Sequence, residues 1–194
     1  MPEHGYNAET GIKFTLKDNL SSKINFFYML MHDEIAYSSI SFRNENMNDT
    51  KRIGGNLSID YKPLDFMKFN FSLTYVNAYF AEGINQNKKI PLNAEFKGNM
   101  QIDFNLPFDT IISFDYSYTG SQFQGNDYSN SLKQIPAINL LGATIKYTPN
   151  KLNNCLSVIA RFNNILNISY PEYVTYNCYY PAKQFNFNLS ASYK

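Results

Sequence analysis

The chain has no tryptophan, only two cysteines and two histidines, and nowhere in its 194 residues an apolar run of about 18 residues. A helical membrane span is thereby excluded. Net charge is also scarce, +1 at neutral pH with a pI near 7.7, and no basic run builds a local positive field. Nucleic acid is therefore not expected as a partner. The opening Met1-Pro2-Glu3-His4-Gly5 lacks the basic and apolar regions of a secretory signal peptide. No nucleophile and base pair, carboxylate pair or phosphate-cradling loop stands out, so the chain does not read as an enzyme, and no cofactor is implied.

What the chain does have is aromatic side chains, 16 tyrosines and 16 phenylalanines, within a composition that is 44% hydrophobic. They fall on a period of two. Phe185, Phe187, Leu189, Ala191 and Tyr193 alternate without a break with Asn186, Asn188, Ser190 and Ser192. Such a stretch is a strand with one oily and one wet face. The same alternation runs through Tyr6 to Leu16, Arg52 to Tyr61, Met67 to Tyr75, Phe96 to Phe104, Ile112 to Tyr118, Leu141 to Tyr147 and Leu156 to Asn163. Ile24 to Met31 is the weakest case, because Phe27, Met29 and Met31 occupy the face that should be polar.

About nine strands result, joined by turns that are short and long in alternation. The short ones are Lys17-Asp18-Asn19, Lys62-Pro63-Leu64-Asp65, Leu106-Pro107-Phe108-Asp109 and Pro149-Asn150-Lys151. The long ones cover residues 32–50, 81–91, 119–135 and 167–180. Short turns at one rim and long loops at the other are the asymmetry of an antiparallel up-and-down transmembrane β-barrel. The aromatics support that reading. Tyr61, Phe104, Tyr147 and Tyr193 stand near the short-turn rim, and Tyr28, Tyr75, Tyr118 and Phe162 near the other. Two girdles are what anchoring at both lipid headgroup levels predicts. A soluble antiparallel sandwich serving as a binding module, or a small autonomous porin or adhesin, remains the alternative, since a sandwich also alternates apolar and polar residues.

Several segments carry a family likeness. Pro2-Glu3 followed by Tyr6-Asn7-Ala8-Glu9-Thr10-Gly11-Ile12-Lys13, Ile135-Pro136-Ala137 ahead of a strand, Arg161-Phe162-Asn163-Asn164-Ile165-Leu166-Asn167 with Tyr170 behind it, and Tyr180-Pro181 before the last strand occur in order. Together they resemble the C-terminal β-barrel region of a TonB-dependent outer-membrane receptor. The resemblance spans essentially all of residues 1–194. It implies about nine strands of a larger, 22-stranded type of barrel in the bacterial outer membrane. It further implies uptake of a bulky, scarce solute such as a ferric siderophore or haem. The partners it implies are outer-membrane lipid, upstream barrel strands and a plug not contained in this sequence, the TonB system acting through that plug, and the small-molecule solute. Pro181-Ala182-Lys183-Gln184 and the final Lys194 depart from the family pattern, and an aromatic residue is expected just after Lys194.

Parity points the same way. The first and ninth strands of such a series run in one direction, so nine strands cannot close without a parallel seam. Open edges in lipid cost several kcal/mol per unpaired backbone group.

Individual residues suggest less. Tyr128, Tyr173, Tyr176 and Tyr179 in the long loops are the candidate ligand-binding side chains, because aromatic walls with polar tips suit a bulky solute. His32-Asp33-Glu34 reads as a solvated charge cluster rather than a metal site, since adjacent residues do not all face one ion and no second histidine is expected to join them, the only other one being His4. No metal site is assigned. Cys155 and Cys178 fall near opposite ends of one hairpin, too far apart for a disulfide, so two free thiols are expected.

Overall fold

A computed structural model describes residues 2–17, 19–38, 41–46, 48–150, 155–175, 178–182 and 184–193. Asp18, Lys151, Tyr176, Lys183 and Lys194 lie outside the described residues. Nine strands form one antiparallel sheet: β1 (His4–Leu16), β2 (Leu20–His32), β5 (Thr50–Leu64), β6 (Met67–Phe80), β7 (Phe96–Leu106), β8 (Thr110–Thr119), β9 (Ile138–Tyr147), β10 (Leu156–Asn163) and β13 (Asn186–Tyr193), neighbours in that order. Two hairpins, β3 (Ile35–Ser38) with β4 (Arg43–Asn46) and β11 (Pro171–Thr175) with β12 (Cys178–Pro181), rise out of the long loops.

The strand pairing follows from the pattern of side chains, because a slip of one residue would turn every oily side chain to the wet face. One row of directly opposed residues runs Tyr61, Phe69, Ile102, Phe114, Ala143, Phe162, Phe187 across seven strands. The adjacent row on the other face runs Asp60, Asn70, Gln101, Asp115 and ends on Gly142. The oily row starts near the short-turn end of β5, at Tyr61, and reaches the long-loop end of β10, at Phe162. That drift is the stagger of strands tilted as in a barrel wall.

The oily face is uncovered. Ile12 is 76% exposed, Phe26 60% and Leu189 66%, and no second sheet packs over them among the described residues. A sandwich would bury this face, so a water-soluble core is not where these side chains go; they require lipid. On the opposite face Phe27 is half-buried over Gly54, its direct partner in β5. This is why the apolar residues on the wet face of β2 do not break the pattern.

The short-turn rim is tied together by backbone bonds. The Lys62 N–H donates to the Asn19 carbonyl at 2.7 Å, that of Asn105 to Phe66 at 2.7 Å, and that of Thr148 to Asp109 at 3.0 Å. Asp109 and Phe108 both take positive φ, and the Asp109 carboxylate accepts the Asn150 N–H at 2.8 Å, fixing a turn that ordinary residues resist. Cys155 stands just ahead of β10 at this rim, while Cys178 opens β12 beyond the other end of that strand. β1 and β13 are the edges of the sheet, each paired on one side.

Candidate functional site

Among the described residues the buried side chains gather mainly at the long-loop end of the sheet. Ala78, Phe80, Ala94, Ile135 and Val174 are its buried apolar residues, and Gln124, Asp127, Thr50 and Asn164 are buried beside the loops or strand ends they belong to. Buried polar side chains must be hydrogen-bonded. Asp127 accepts the N–H groups of Ser131 at 2.9 Å and Leu132 at 3.0 Å, which winds residues 127–132 around its carboxylate. The Gln124 amide donates to the Lys133 carbonyl at 2.7 Å, closing the base of the same loop.

The loops are also joined to one another. Asn130 behaves as a piece of strand: its Oδ1 accepts the Lys89 N–H at 2.6 Å and its Nδ2 donates to the Lys89 carbonyl at 2.9 Å. The Leu92 N–H reaches the Phe123 carbonyl at 2.9 Å, and the Gly125 N–H reaches that of Val174 at 2.7 Å. Loops 81–95 and 120–137 and β11 thus form one layer over the end of the sheet.

The first loop, 33–49, is tied to the start of loop 81–95 by the Asp49 carbonyl, which accepts the Ala81 N–H, and to β5 by charge. The Arg52 guanidinium donates to Glu34 Oε1 at 2.7 Å, and the Thr50 hydroxyl donates to Glu34 Oε2. Burial, the largest single influence, pushes the Glu34 carboxyl up, but the bonds from Arg52 and Thr50 and the Arg52 charge together hold it below the ordinary value.

Between the β3–β4 hairpin and this layer lies a cavity of about 190 Å³ lined by Ala36, Glu45, Asn46, Asn48, Phe80, Asn85 and Tyr128. Tyr128 packs edge-on against Phe80, ring centroids 5.8 Å apart. The carboxyl of Glu45 is held below its ordinary range, first by a hydrogen bond from Ser41 and then, against slight burial, by Arg43. An anionic group, three amides and two aromatic rings make a mixed wall of the kind that orients a bulky polar solute. On the wet face of the sheet a second, more open trough of about 480 Å³ is lined by Ser58, Asp60, Asn70, Ser72, Asn99, Gln101, Asp115 and Ser117.

Of the four tyrosines singled out from sequence, Tyr128 lines the loop cavity. Tyr173 and Tyr179 lie on the β11–β12 hairpin, where Val174 opposes Tyr179, and their backbone alone is described. Tyr176 lies outside the described residues. Sequence reading missed Phe80 and Asn85, which reach the cavity because β6 runs on past Tyr75 and loop 81–95 follows its end, and Asn48, which lies just ahead of β5. One expectation is corrected. His32 does have a second histidine beside it: β1 and β2 pair His4 directly with His32, and the rings stack at 5.0 Å.

A family model described as "TonB dependent receptor-like, beta-barrel" matches residues 1–165. Among solved structures, the chain superposes on the ferric-catecholate import receptor Fiu of E. coli K12 with a TM-score of 0.76 at 15% identity, covering 100% of this chain and 28% of that one. The ferric yersiniabactin uptake receptor FyuA of Yersinia pestis gives 0.76 at 12% identity, 97% of this chain and 29% of that one. The ferric citrate transporter FecA, unliganded, gives 0.80 at 20% identity, 97% and 31%. At these identities the likeness is one of fold, and the chain spans less than a third of each of these structures. No curated protein sequence matches significantly.

Proposed function

Since this chain belongs to the TonB-dependent receptor β-barrel family and is thus a bacterial outer-membrane protein, we propose that residues 1–194 are nine staves from the C-terminal part of a larger uptake barrel. The complete form takes up a bulky, scarce solute, a ferric siderophore, haem or a similar molecule. The plug fits against the wet face of these strands, and TonB acts through that plug. The long loops contribute part of the outer solute-contacting surface, with Tyr128 and the β11–β12 tyrosines, Tyr173 and Tyr179, and Tyr176 between them, among the contacting side chains.

One observation carries this reading: an open sheet leaves large apolar side chains of its oily face exposed, while the buried side chains among the described residues gather at the long-loop end. An exposed apolar wall with a polar reverse side and a built outer surface is a segment of barrel, not a domain with its own core. The solute class rests on resemblance to iron receptors of the same fold.

The test joins the chain to its upstream strands and plug and measures quenching of its tyrosine fluorescence by ferric siderophores and by haem. Saturable quenching that is weakened by Tyr128→Ala is the expected result. If residues 1–194 alone assemble in lipid into a monomeric, heat-modifiable barrel, the chain is a complete porin-like protein and the proposal fails.

A further inference from the structure

We propose that His4 and His32 form a two-histidine site for a borderline divalent transition-metal ion, Cu²⁺, Ni²⁺ or Zn²⁺, at the long-loop end of the β1–β2 hairpin. The two residues are directly opposed across the strands. Directly opposed residues hold their Cβ atoms about 4.5–5.5 Å apart, so two imidazoles rooted there reach a common point.

The ring spacing agrees with that. A metal ion lies about 2.0–2.1 Å from each imidazole nitrogen, which places it about 3.2 Å from each ring centre. Two rings sharing such an ion have centroids about 4.5 Å apart at a right angle and about 5.2 Å apart at the tetrahedral angle. The observed separation is 5.0 Å. The ring planes lie 22° apart, so one ring must turn about its Cβ–Cγ bond to aim its nitrogen. His4 is exposed and can make that turn.

His32 is the oriented partner. Its Nδ1 lies 2.5 Å from Asp49 Oδ2, so in the neutral ring Nδ1–H donates to the carboxylate and the Nε2 lone pair is left for a metal. Asp49 is in turn held in place by its carbonyl, which accepts the Ala81 N–H at 2.7 Å. The Tyr6 ring meets His32 edge-on at 6.4 Å and limits its rotation. A carboxylate that fixes the tautomer of a ligating histidine is a recurrent feature of metal sites.

No group of three or more histidine, cysteine or acidic side chains gathers to hold an ion among the described residues, so the remaining coordination positions belong to water or an outside donor. Imidazole donors without a carboxylate cage select Cu²⁺, Ni²⁺ or Zn²⁺ over Mg²⁺ and Ca²⁺. An ion bound there clips β1, which is paired on one side only, to β2. The site stands or falls independently of the solute proposed above.

The test is calorimetric titration in detergent with CuCl₂ of the chain joined to its upstream strands and plug, together with the electron paramagnetic resonance spectrum of the copper form. One equivalent bound with a two-nitrogen splitting pattern is expected, with no competition from Ca²⁺. His4→Ala and His32→Ala each lower the affinity at least about tenfold, and Asp49→Asn lowers it roughly 10–100-fold while both ligands remain. His4 is exposed, so His4→Ala leaves the fold intact, which unchanged circular dichroism verifies. A one-nitrogen spectrum, or full affinity in either histidine variant, overturns the proposal. So does equal competition by Ca²⁺.

Discussion

Glycine 54 shows how little room the wet face of the sheet leaves. It lies between Phe27 in β2 and Val76 in β6, and a Cβ added to it would meet the Tyr75 carbonyl oxygen and come within 2.5 Å of Phe27 Cζ. The constraint is close approach rather than backbone dihedral, because the nearest obstacle is main chain that cannot rotate away. Gly54→Ala is expected to destabilise the sheet by about 1–3 kcal/mol, the usual cost of overpacking. Thermal unfolding in detergent of the chain joined to its complementary strands measures it, and the double variant Gly54→Ala with Phe27→Ala should recover only the side-chain share of the loss. Glu34 is constrained by charge instead. Its folded pKa lies below the ordinary 4.5, so its contribution to holding loop 33–49 is complete above that value and is lost as pH falls through the lowered folded one. Limited proteolysis of this loop should be unchanged between pH 8 and about pH 5 and should accelerate well below pH 4.5. Arg52→Ala removes the main partner of a half-buried carboxylate and costs about 1–3 kcal/mol locally; burial then outweighs the remaining Thr50 bond, so the loop is looser at neutral pH and its loosening on acidification is lost.

At the scale of elements, the strands and the loops differ in what specifies them. Strands follow from side-chain alternation, and all nine of the main sheet were legible: the oily positions Phe69, Phe114 and Phe187 face one way in the structure as they do in the sequence pattern. The two loop hairpins were not legible. β3 and β4 carry only four residues each, too few for alternation to rise above chance, and β11 and β12 sit among closely spaced tyrosines with no alternating partner. The loop layer was hidden for a second reason. Its bonds join residues 41 apart in sequence, as Asn130 to Lys89, and its buried groups are polar, as Asp127 and Gln124, where a reader of hydropathy expects exposure. The His4–His32 contact was missed in the same way, since only the register of β1 on β2 brings the rings together. Asn130→Ala tests whether the layer is one unit. It removes both bonds to Lys89 and leaves that backbone pair unmatched, so loops 81–95 and 120–137 should become protease-sensitive together. Cleavage confined to 120–137 would mean that the loops open separately.

The whole molecule is governed by strand parity. In a closed antiparallel barrel each strand runs opposite to both neighbours, so the total is even. Nine strands in sequence leave β1 and β13 running in the same direction at the two edges. A second copy does not solve this. Two copies inserted the same way into one membrane bring β13 of one against β1 of the other, both pointing alike, and make two parallel seams. An antiparallel closure takes a complement with an odd number of strands, roughly thirteen for a barrel of the 22-stranded kind. The edges are long, 13 residues in β1 and 8 in β13, and unpaired backbone groups in lipid cost several kcal/mol each, so the penalty for leaving them open exceeds a domain's whole stability. Residues 1–194 refolded alone into lipid vesicles are therefore expected to give heterogeneous, heat-labile species that migrate as unfolded chain without boiling. Joined to an odd-stranded complement, the same residues should give a compact band that shifts on boiling, and joined to an even-stranded one they should not. A compact band from the even-stranded fusion would mean that a parallel seam is tolerated, and with it the parity rule would cease to determine what these edges meet.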